Sequence, residues 1–384
     1  MERITTLFLF ILLTLFFFNS DYFERNFFFN EVISFIGAIF FLMKIVRLKT
    51  FKIKKRSYAL YIFIFVAVCC FHLFYSLNKM TSLYYYARNS VILYSVFSFY
   101  LGYYFFERYH GIVLGFKKEL LAVMSTSVVF FKMILARYSG PILLPLFTGV
   151  KSIANVILLF ALILVHSVKE DALSVAVIIP LFLLVFLSRS FKEFSRYFSI
   201  GILLIVVFFL YFYDNFMLYK TGYYNYFGNV QAIYNSHPLL SVDINVTWRI
   251  LLWFRYIVER FPDNIIGIGF GTPMLDYIAE RRSHWTGNDE IHAHVSGAHN
   301  SYLTILLRLG ITGFYAVFMI SRKVFIDYFQ AIKTPRFKQY IPYYFVWIGM
   351  FSLIVFNLGL ESPLRAGLFW VATGFVAKIS SKFH

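Results

Sequence analysis

Charged residues are scarce in this chain. Asp, Glu, Lys and Arg make up 14% of its 384 residues, whereas apolar residues make up 60%, and the mean hydropathy is +0.70. A soluble globular protein is about one quarter charged and about half apolar. The composition therefore excludes a soluble core protein. Repeated apolar runs of about 15 to 20 residues predict instead an all-α protein that crosses a membrane many times.

Acidic residues and cysteines are also few. Nineteen Asp and Glu stand against 36 Lys and Arg, which gives a formal net charge of +17. In membrane proteins such an excess collects in cytoplasmic loops beside anionic lipid, so we expect membrane lipid and not nucleic acid as the partner. Cys69 and Cys70 are adjacent within an apolar run, which excludes a disulfide framework and a metal-binding spacing.

The apolar segments predict about eleven transmembrane helices in one integral membrane domain over residues 1–384. No repeat or low-complexity linker divides the chain. The first segment has no small-residue cleavage site after it, so we expect it to be retained as a span. The predicted spans are 4–18, 32–46, 58–77, 90–106, 119–135, 152–168, 172–188, 200–213, 300–320, 340–358 and 365–380.

Basic residues predict the orientation of these helices. Lys and Arg cluster at 47–56 and again at 322–338, and such clusters mark cytoplasmic loops. One span separates the second cluster from residues 214–299, which are therefore predicted to form a large periplasmic loop. That loop has six Lys and Arg against eight Asp and Glu, whereas the remainder has thirty against eleven. The basic excess avoids the loop, as the orientation requires.

The loop contains a predicted amphipathic helix at about 248–261, which Pro262 ends. Its helical spacing separates a polar face from an apolar face. Such a helix suits a membrane surface, with its guanidinium groups toward water or an anion. The polar face consists of Arg249, Trp253, Tyr256 and Arg260, and the apolar face of Leu251, Phe254, Val258 and Phe261.

A series of motifs in about the last 140 residues resembles the signature of the O-antigen ligase and polymerase superfamily. These are membrane glycosyltransferases that use lipid-diphosphate-linked glycans. The order and spacing of the motifs together carry the resemblance. The motifs are Arg249 with Trp253, Pro262, the glycine segment Gly267-Ile268-Gly269-Phe270-Gly271, His299-Asn300-Ser301-Tyr302-Leu303, Gly310 and Gly313-Phe314.

The resemblance implies roles for four residues. His299 would be the catalytic proton acceptor, since the pKa of histidine lies near the working pH. Arg249, and Arg189 from a Ser-Arg pair, would bind the diphosphate through their planar guanidinium forks. Asn300 would orient His299 or cap the helix that follows. The structural alternatives are an interfacial histidine and snorkelling arginines. Superfamily members are understood to need no metal, and no cofactor is expected.

The segment Ser188–Arg196 conflicts with the predicted orientation. Eight spans from a cytoplasmic N-terminus would leave the large loop inside the cell. In the superfamily a Ser-Arg pair lies at the outer face and a further span follows it, which gives twelve spans instead of eleven. Here that span is missing or shortened, and Arg189, Lys192 and Arg196 favour a cytoplasmic turn.

The expected reaction transfers an oligosaccharide from undecaprenyl diphosphate to a hydroxyl of a lipid-linked acceptor at the inner membrane. The short loop and the 50 Phe and 29 Tyr resemble the features of many O-antigen polymerases, so the resemblance favours a polymerase. A chain-length regulator is then a candidate partner. The alternative is the O-antigen ligase, which transfers the glycan to the lipid A core. A flippase would place polar residues in several spans, whereas Lys132 and Arg308 are nearly the only clear cases.

Three further patterns have simpler interpretations. The glycines of 267–271 lack a βαβ context, which favours turn glycines over a nucleotide loop. A zinc site from His284, His292, His294 and His299 has loose spacing and is not favoured. Arg308 lies inside a predicted span, where we expect a buried partner or a water-filled cavity, with Glu361 as one candidate partner.

Overall fold

The computed structural model describes residues 35–39, 57–80, 83–115, 181, 184–185, 187–211, 249, 252–254, 256–257, 264–274, 298, 300–356 and 359–382. Within these ranges every regular element is helical, as the all-α prediction requires. The predicted spans 4–18, 119–135 and 152–168, and most of 32–46 and 172–188, lie outside the described residues.

Among the described residues, six long helices correspond to predicted spans. They are α1 (Tyr58–Tyr75), α4 (Ser98–Gly115), α5 (Phe191–Tyr211), α6 (Ser301–Lys333), α7 (Ile341–Phe356) and α8 (Pro363–Ser380). Two short helices, α2 (Leu83–Asn89) and α3 (Val91–Tyr94), precede α4, and 3-10 turns lie at Leu77–Lys79, Ser95–Phe97 and Pro335–Tyr340. Among the described residues, α1 and α6 are long and apolar enough, by length and composition, to cross a membrane.

Side-chain caps fix where several helices begin. Ser57 Oγ accepts a hydrogen bond from the backbone N–H of Leu60 at the start of α1. At α5, Ser190 Oγ accepts from Glu193 N–H, and the Glu193 carboxylate accepts from Arg189 N–H at 2.8 Å. This reciprocal arrangement satisfies two N–H groups that a helix start leaves without partners. It places the first turn of α5 at Phe191, nine residues before the predicted span.

The core is aromatic and is built around α6, α7 and α8. Trp347 and Trp370 are fully buried, and Trp347 Nε1 donates to Thr373 Oγ1 at 2.9 Å. Helices α4 and α8 approach closely because a glycine on each helix faces the backbone of the other. A Cβ on Gly102 would lie 2.1 Å from Val371 O, and one on Gly374 would lie 2.2 Å from Phe99 O. Small residues at helix contacts are typical of membrane proteins, where close packing replaces the hydrophobic effect.

Helices α1 and α6 run antiparallel, which gives the structure two ends. At the first end, which we call the basic end, Tyr58 contacts Asp327 and Lys323. Arg322, Lys333 and Lys382 also belong to this end, because they lie on or beside the last turns of α6 and α8. At the opposite end, which we call the glycine end, Ser76 follows α1 and meets residues 269–271.

Candidate functional site

Residues 264–274 form a strap at the glycine end that inserts into a break in α6. The break lies at Gly310, whose φ of 67° and ψ of −169° are not helical. In an unbroken helix Ile311 N–H would donate to Leu307 O. Here Ile311 N–H donates to Ile265 O at 3.0 Å, while Leu307 O accepts from Ile268 N–H at 2.9 Å. Arg308 O likewise accepts from Gly269 N–H at 2.9 Å, so the strap satisfies the groups that the break frees.

Glycine is required where the strap and the break meet. A Cβ on Gly310 would lie 2.1 Å from Ile266 O, and a Cβ on Gly267 would lie 2.5 Å from Arg308 O. Gly267 and Gly269 also have positive φ values of 104° and 79°, which glycine adopts without steric cost. The interpretation of the 267–271 pattern as turn glycines is therefore confirmed for these two. The same residues also permit close backbone contact.

The strap is also fixed to the elements before it. Ser76 Oγ accepts from the backbone N–H of Phe270 at 3.0 Å and donates to His72 O at 2.6 Å. Asn89 Nδ2 donates to Phe270 O at 3.0 Å. Phe270 is fully buried. The strap is thus held between α6, the end of α1 and α2.

Arg308 is buried beneath the strap, with 2% of its surface exposed. Its guanidinium donates from Nη1 to Gly269 O at 3.0 Å and to Thr272 O at 3.4 Å. The carboxyl group of Glu361 contributes further electrostatic attraction. The expected buried partners therefore exist, and they are chiefly strap carbonyls. Glu361, the candidate partner from the sequence, acts through its charge.

Glu361 belongs to a polar cluster at the first turn of α6. Ser301 Oγ donates to Glu361 Oε2 at 2.5 Å and accepts from the N–H groups of Gly359 and Leu360 at 3.0 and 2.9 Å. The Thr304 hydroxyl also bonds the carboxylate, and both hydroxyl side chains are fully buried. Burial raises the pKa of Glu361, while the hydrogen bonds from Ser301 and Thr304 and the charge of Arg308 oppose that rise.

The segment 249–257 is helical at its described positions and packs against the strap and α6. Leu252 and Tyr256 share a buried cluster with Ile268, Leu303 and Leu307. Trp253 Nε1 donates to Ala298 O, and Ala298 N–H donates to Thr304 Oγ1 at 3.2 Å. Trp253 therefore ties this segment to the residue that immediately precedes His299 in the sequence.

The expected orientation of that helix needs correction. The face of Arg249, Trp253 and Tyr256 was predicted to lie toward water or an anion. The structure instead buries Arg249 to 7% exposure and Tyr256 completely, and it exposes Ile257. Periodicity identifies two faces, but it does not distinguish a protein neighbour from a membrane surface. Here the neighbours are α6 and the strap.

The structure brings Arg249 and Asn300 to the same end. Arg249 lies one turn before Trp253, which reaches Ala298. Asn300 Oδ1 accepts from Leu303 N–H at 3.0 Å and caps α6. Capping was one of the two roles expected for Asn300. His299, the expected catalytic residue, lies outside the described residues, and so do Arg255 and Arg260.

Arg189 is not brought to this end. It precedes α5, whose first turns pack at the basic end: the rings of Phe194 and Phe325 lie 4.5 Å apart, and Arg322 lies 5.5 Å from the Phe191 ring. Phe325 and Asn300 are separated by about 35 Å of helix at 1.5 Å per residue. A single site that contains both Arg189 and Arg249 is therefore not formed. The basic character of Ser188–Arg196, noted in the sequence, agrees with this placement.

The zinc candidates His284, His292 and His294 lie outside the described residues, as His299 does. Across the part of the chain that is described, no group of three or more His, Cys, Asp or Glu side chains could hold a metal ion. Sequence reasoning assigned no role to Ser76, Asn89, Ser301 or Thr304. Single polar residues beside apolar helices carry no pattern that marks their partners.

Taken together, the described fold and site are those of an all-helical protein with helices of spanning length and polar groups gathered at one end of a broken helix. Residues 153–318 match the family model described as O-antigen ligase. This stretch includes Arg249, the glycine strap and the His299–Leu303 motif. The resemblance to the O-antigen ligase and polymerase superfamily is thus confirmed over these residues, and the family is one of membrane-associated glycosyltransferase-type enzymes. No curated protein and no solved structure gave a match.

Proposed function

We propose that this protein is a multi-pass inner-membrane glycosyltransferase that moves an oligosaccharide from undecaprenyl diphosphate to a hydroxyl of a lipid-linked acceptor. The observation that carries the proposal is the contact between Trp253 and Ala298. It holds the helix of Arg249 against the start of α6, next to His299 in the sequence. The O-antigen ligase family match covers the same residues.

The basic end is cytoplasmic and the glycine end is periplasmic. Tyr58 directly follows the basic segment 47–56 in the sequence, and it contacts α6 beside Lys323. The second basic cluster lies at this end, and the first precedes Tyr58 closely in the sequence, which supports a cytoplasmic basic end. Helix α5 then leads from the cytoplasmic side to the periplasmic loop 214–299, and α6 returns to the cytoplasmic side. On this path, α5 is the span that follows Arg189, and no additional span is needed for the loop to be periplasmic.

Transfer requires a cation at the diphosphate and a base at the acceptor. Arg249 binds the diphosphate, because its fork stays charged and suits phosphate oxygens. His299 accepts the acceptor hydroxyl proton as the oxygen attacks the anomeric carbon. The bond from that carbon to the diphosphate breaks, and undecaprenyl diphosphate leaves. Arg189 takes no part in this step, since it lies at the basic end.

The acceptor is another lipid-linked repeat unit, which makes the protein an O-antigen or surface-polysaccharide polymerase. A chain-length regulator is then a candidate partner. The second candidate is the O-antigen ligase with lipid A core as acceptor, which the description of the matching family model favours. Both use the same donor and the same chemistry. The lipopolysaccharide of a deletion strain separates them: one repeat unit on the core indicates a missing polymerase, whereas bare core with accumulated lipid-linked polymer indicates a missing ligase.

The site is tested by complementing that strain with His299→Ala, Arg249→Ala and Arg189→Ala. We expect the first two to lose long-chain product while lipid-linked units still reach the outer leaflet. Arg189→Ala should retain product at a comparable protein level. Units trapped inside the cell in the His299→Ala strain would identify a transporter and contradict the proposal.

A further inference from the structure

We infer that Arg308 is a positioning residue for the transfer reaction. It fixes the strap 264–274, and through it the helix of Arg249, relative to the first half of α6. The inference rests on the proposed function. Arg308 lies nine positions after His299 and belongs to none of the motifs that carry the family resemblance.

Backbone bonds fix only the first half of the strap to α6. They involve Ile265, Ile268 and Gly269, which pair with residues 307–311 on both sides of the break. The Arg308 guanidinium extends this contact, because the same Nη1 reaches Gly269 O at 3.0 Å and Thr272 O at 3.4 Å. The Arg308 side chain thereby links both halves of the strap to α6.

A buried cation at this position needs a reason. Removing a guanidinium from water is costly, and an apolar side chain of similar size often replaces a buried ion without loss of stability. At 2% exposure Arg308 is compensated by two carbonyl dipoles and by the charge of Glu361. What an apolar side chain would not provide is directed hydrogen bonding to two strap carbonyls at once.

The strap follows, in the sequence, the segment that bears Arg249. Tyr256, on that segment, packs in one buried cluster with Ile268 of the strap and Leu307 of α6. The Glu361 carboxylate, which attracts Arg308, accepts a hydrogen bond from the Ser301 hydroxyl in the first turn of α6. Arg308 therefore lies between the two parts that must be aligned, the helix of Arg249 and the start of α6. Loss of its hydrogen bonds should misplace them without removing either.

Turnover of purified protein in nanodiscs provides the first test, with undecaprenyl-diphosphate-linked repeat units as donor. We expect Arg308→Met to lower kcat by about 100-fold and to change the donor KM by about threefold or less, because misalignment of about 1 Å affects the chemical step more than binding. Arg308→Lys should restore part of kcat. The matched control is Arg322→Met, which removes an exposed guanidinium from the same helix at the basic end. It should stay within about threefold of wild type, since it lies about 21 Å along α6 from Arg308.

The position of the strap provides a second, independent test. Ile266 and Ile311 have exposed side chains and flank the Ile265–Ile311 hydrogen bond. Spin labels at these two positions, in a Cys69→Ala and Cys70→Ala background, should show strong dipolar broadening. Arg308→Met should weaken that broadening, and Arg322→Met should not.

The outcomes are distinguishable. If wild-type protein transfers no glycan, the proposed function fails, while the spin-label spectra still decide whether Arg308 holds the strap. If Arg308→Met keeps wild-type kcat and an unchanged spectrum, the positioning role is overturned. If Arg308→Met is not monodisperse in detergent, Arg308→Lys takes its place, and an unchanged kcat and spectrum in that variant overturn the role in the same way.

Discussion

The Tyr58 hydroxyl donates a hydrogen bond to Asp327 Oδ2 at 2.7 Å, and the two residues are 269 positions apart in the sequence. The same carboxylate accepts from Lys323 Nζ at 3.0 Å, and the ammonium group lies over the Tyr58 ring. This contact joins the first turn of α1 to the last third of α6. Together with the contacts of Ser76 with the strap at the other end, it shows that α1 and α6 run antiparallel.

The first prediction concerns the stability that this contact provides. Tyr58→Phe removes one hydrogen bond and should cost about 1 kcal/mol. Asp327→Ala should cost more, about 3 kcal/mol, because it leaves the Tyr58 hydroxyl and the largely buried Lys323 without their acceptor. The melting temperature of the purified protein in detergent measures both effects. Equal melting temperatures for Asp327→Ala and wild type would show that the contact contributes nothing.

The second prediction concerns orientation. Single cysteines are placed at Arg189 and at the exposed Ile266, in a background with Cys69→Ala and Cys70→Ala. A membrane-impermeant maleimide applied to spheroplasts should label position 266 and not position 189, because the proposed orientation puts the strap on the periplasmic side and Arg189 on the cytoplasmic side. Position 189 should react only after the membrane is permeabilised. Labelling of both positions in intact spheroplasts would contradict the assignment.

The third prediction concerns the break in α6. Gly310→Ala would place a Cβ 2.1 Å from Ile266 O at a φ of 67°, and should therefore displace the strap and abolish accumulation of folded protein or its activity. The control is Gly201→Ala in α5, where an added Cβ meets nothing within 4 Å. Since alanine favours the helix, this control should be neutral or stabilising by up to about 1 kcal/mol. Folded yield and melting temperature compare the two variants, and a well-folded, active Gly310→Ala protein would show that the break is not needed.

The fourth prediction concerns pH. Burial raises the pKa of Glu361 above the ordinary value of 4.5, so between the two values the folded protein binds more protons than the unfolded chain. Stability should therefore fall as the pH rises through this range. Glu361→Gln removes the charge, and the difference in melting temperature between the variant and wild type should shift in favour of the variant from pH 4.5 upward. A difference that does not depend on pH would mean that Glu361 keeps its ordinary pKa in the fold.

The sequence predicted the six described long helices well, because an apolar run long enough to cross a membrane is a local property. Boundaries were less accurate. The predicted span 200–213 is only the second half of a helix that begins at Phe191. The first half was not predicted, because its charged residues lower the hydropathy on which the span prediction depends. The predicted helix start at Asn300 was accurate, because a helix cap is formed by residues that are close together in the sequence.

The candidate site was predictable only in part. The glycine spacing indicated turns, and two positive φ values agree. Those glycines allow the strap to enter the break in α6. This contact depends on Leu307 and Ile311, about forty residues further along the sequence. The resemblance implied that Arg189 and Arg249 bind the same diphosphate, whereas the structure places Arg189 at the basic end. That placement depends on the packing of α5 against α6, which no local pattern encodes. His299 remains a prediction.

By itself the sequence predicted an all-helical membrane protein that resembles the O-antigen ligase family, since composition, basic clusters and ordered motifs are readable without coordinates. The family match confirms that resemblance over residues 153–318. Tertiary structure alone decided that Arg249 is buried, that Arg189 lies at the far end, and that Arg308 bonds the strap. The physical reason is that the direction in which a polar side chain points is set by its neighbours across the fold, and those neighbours are distant in sequence.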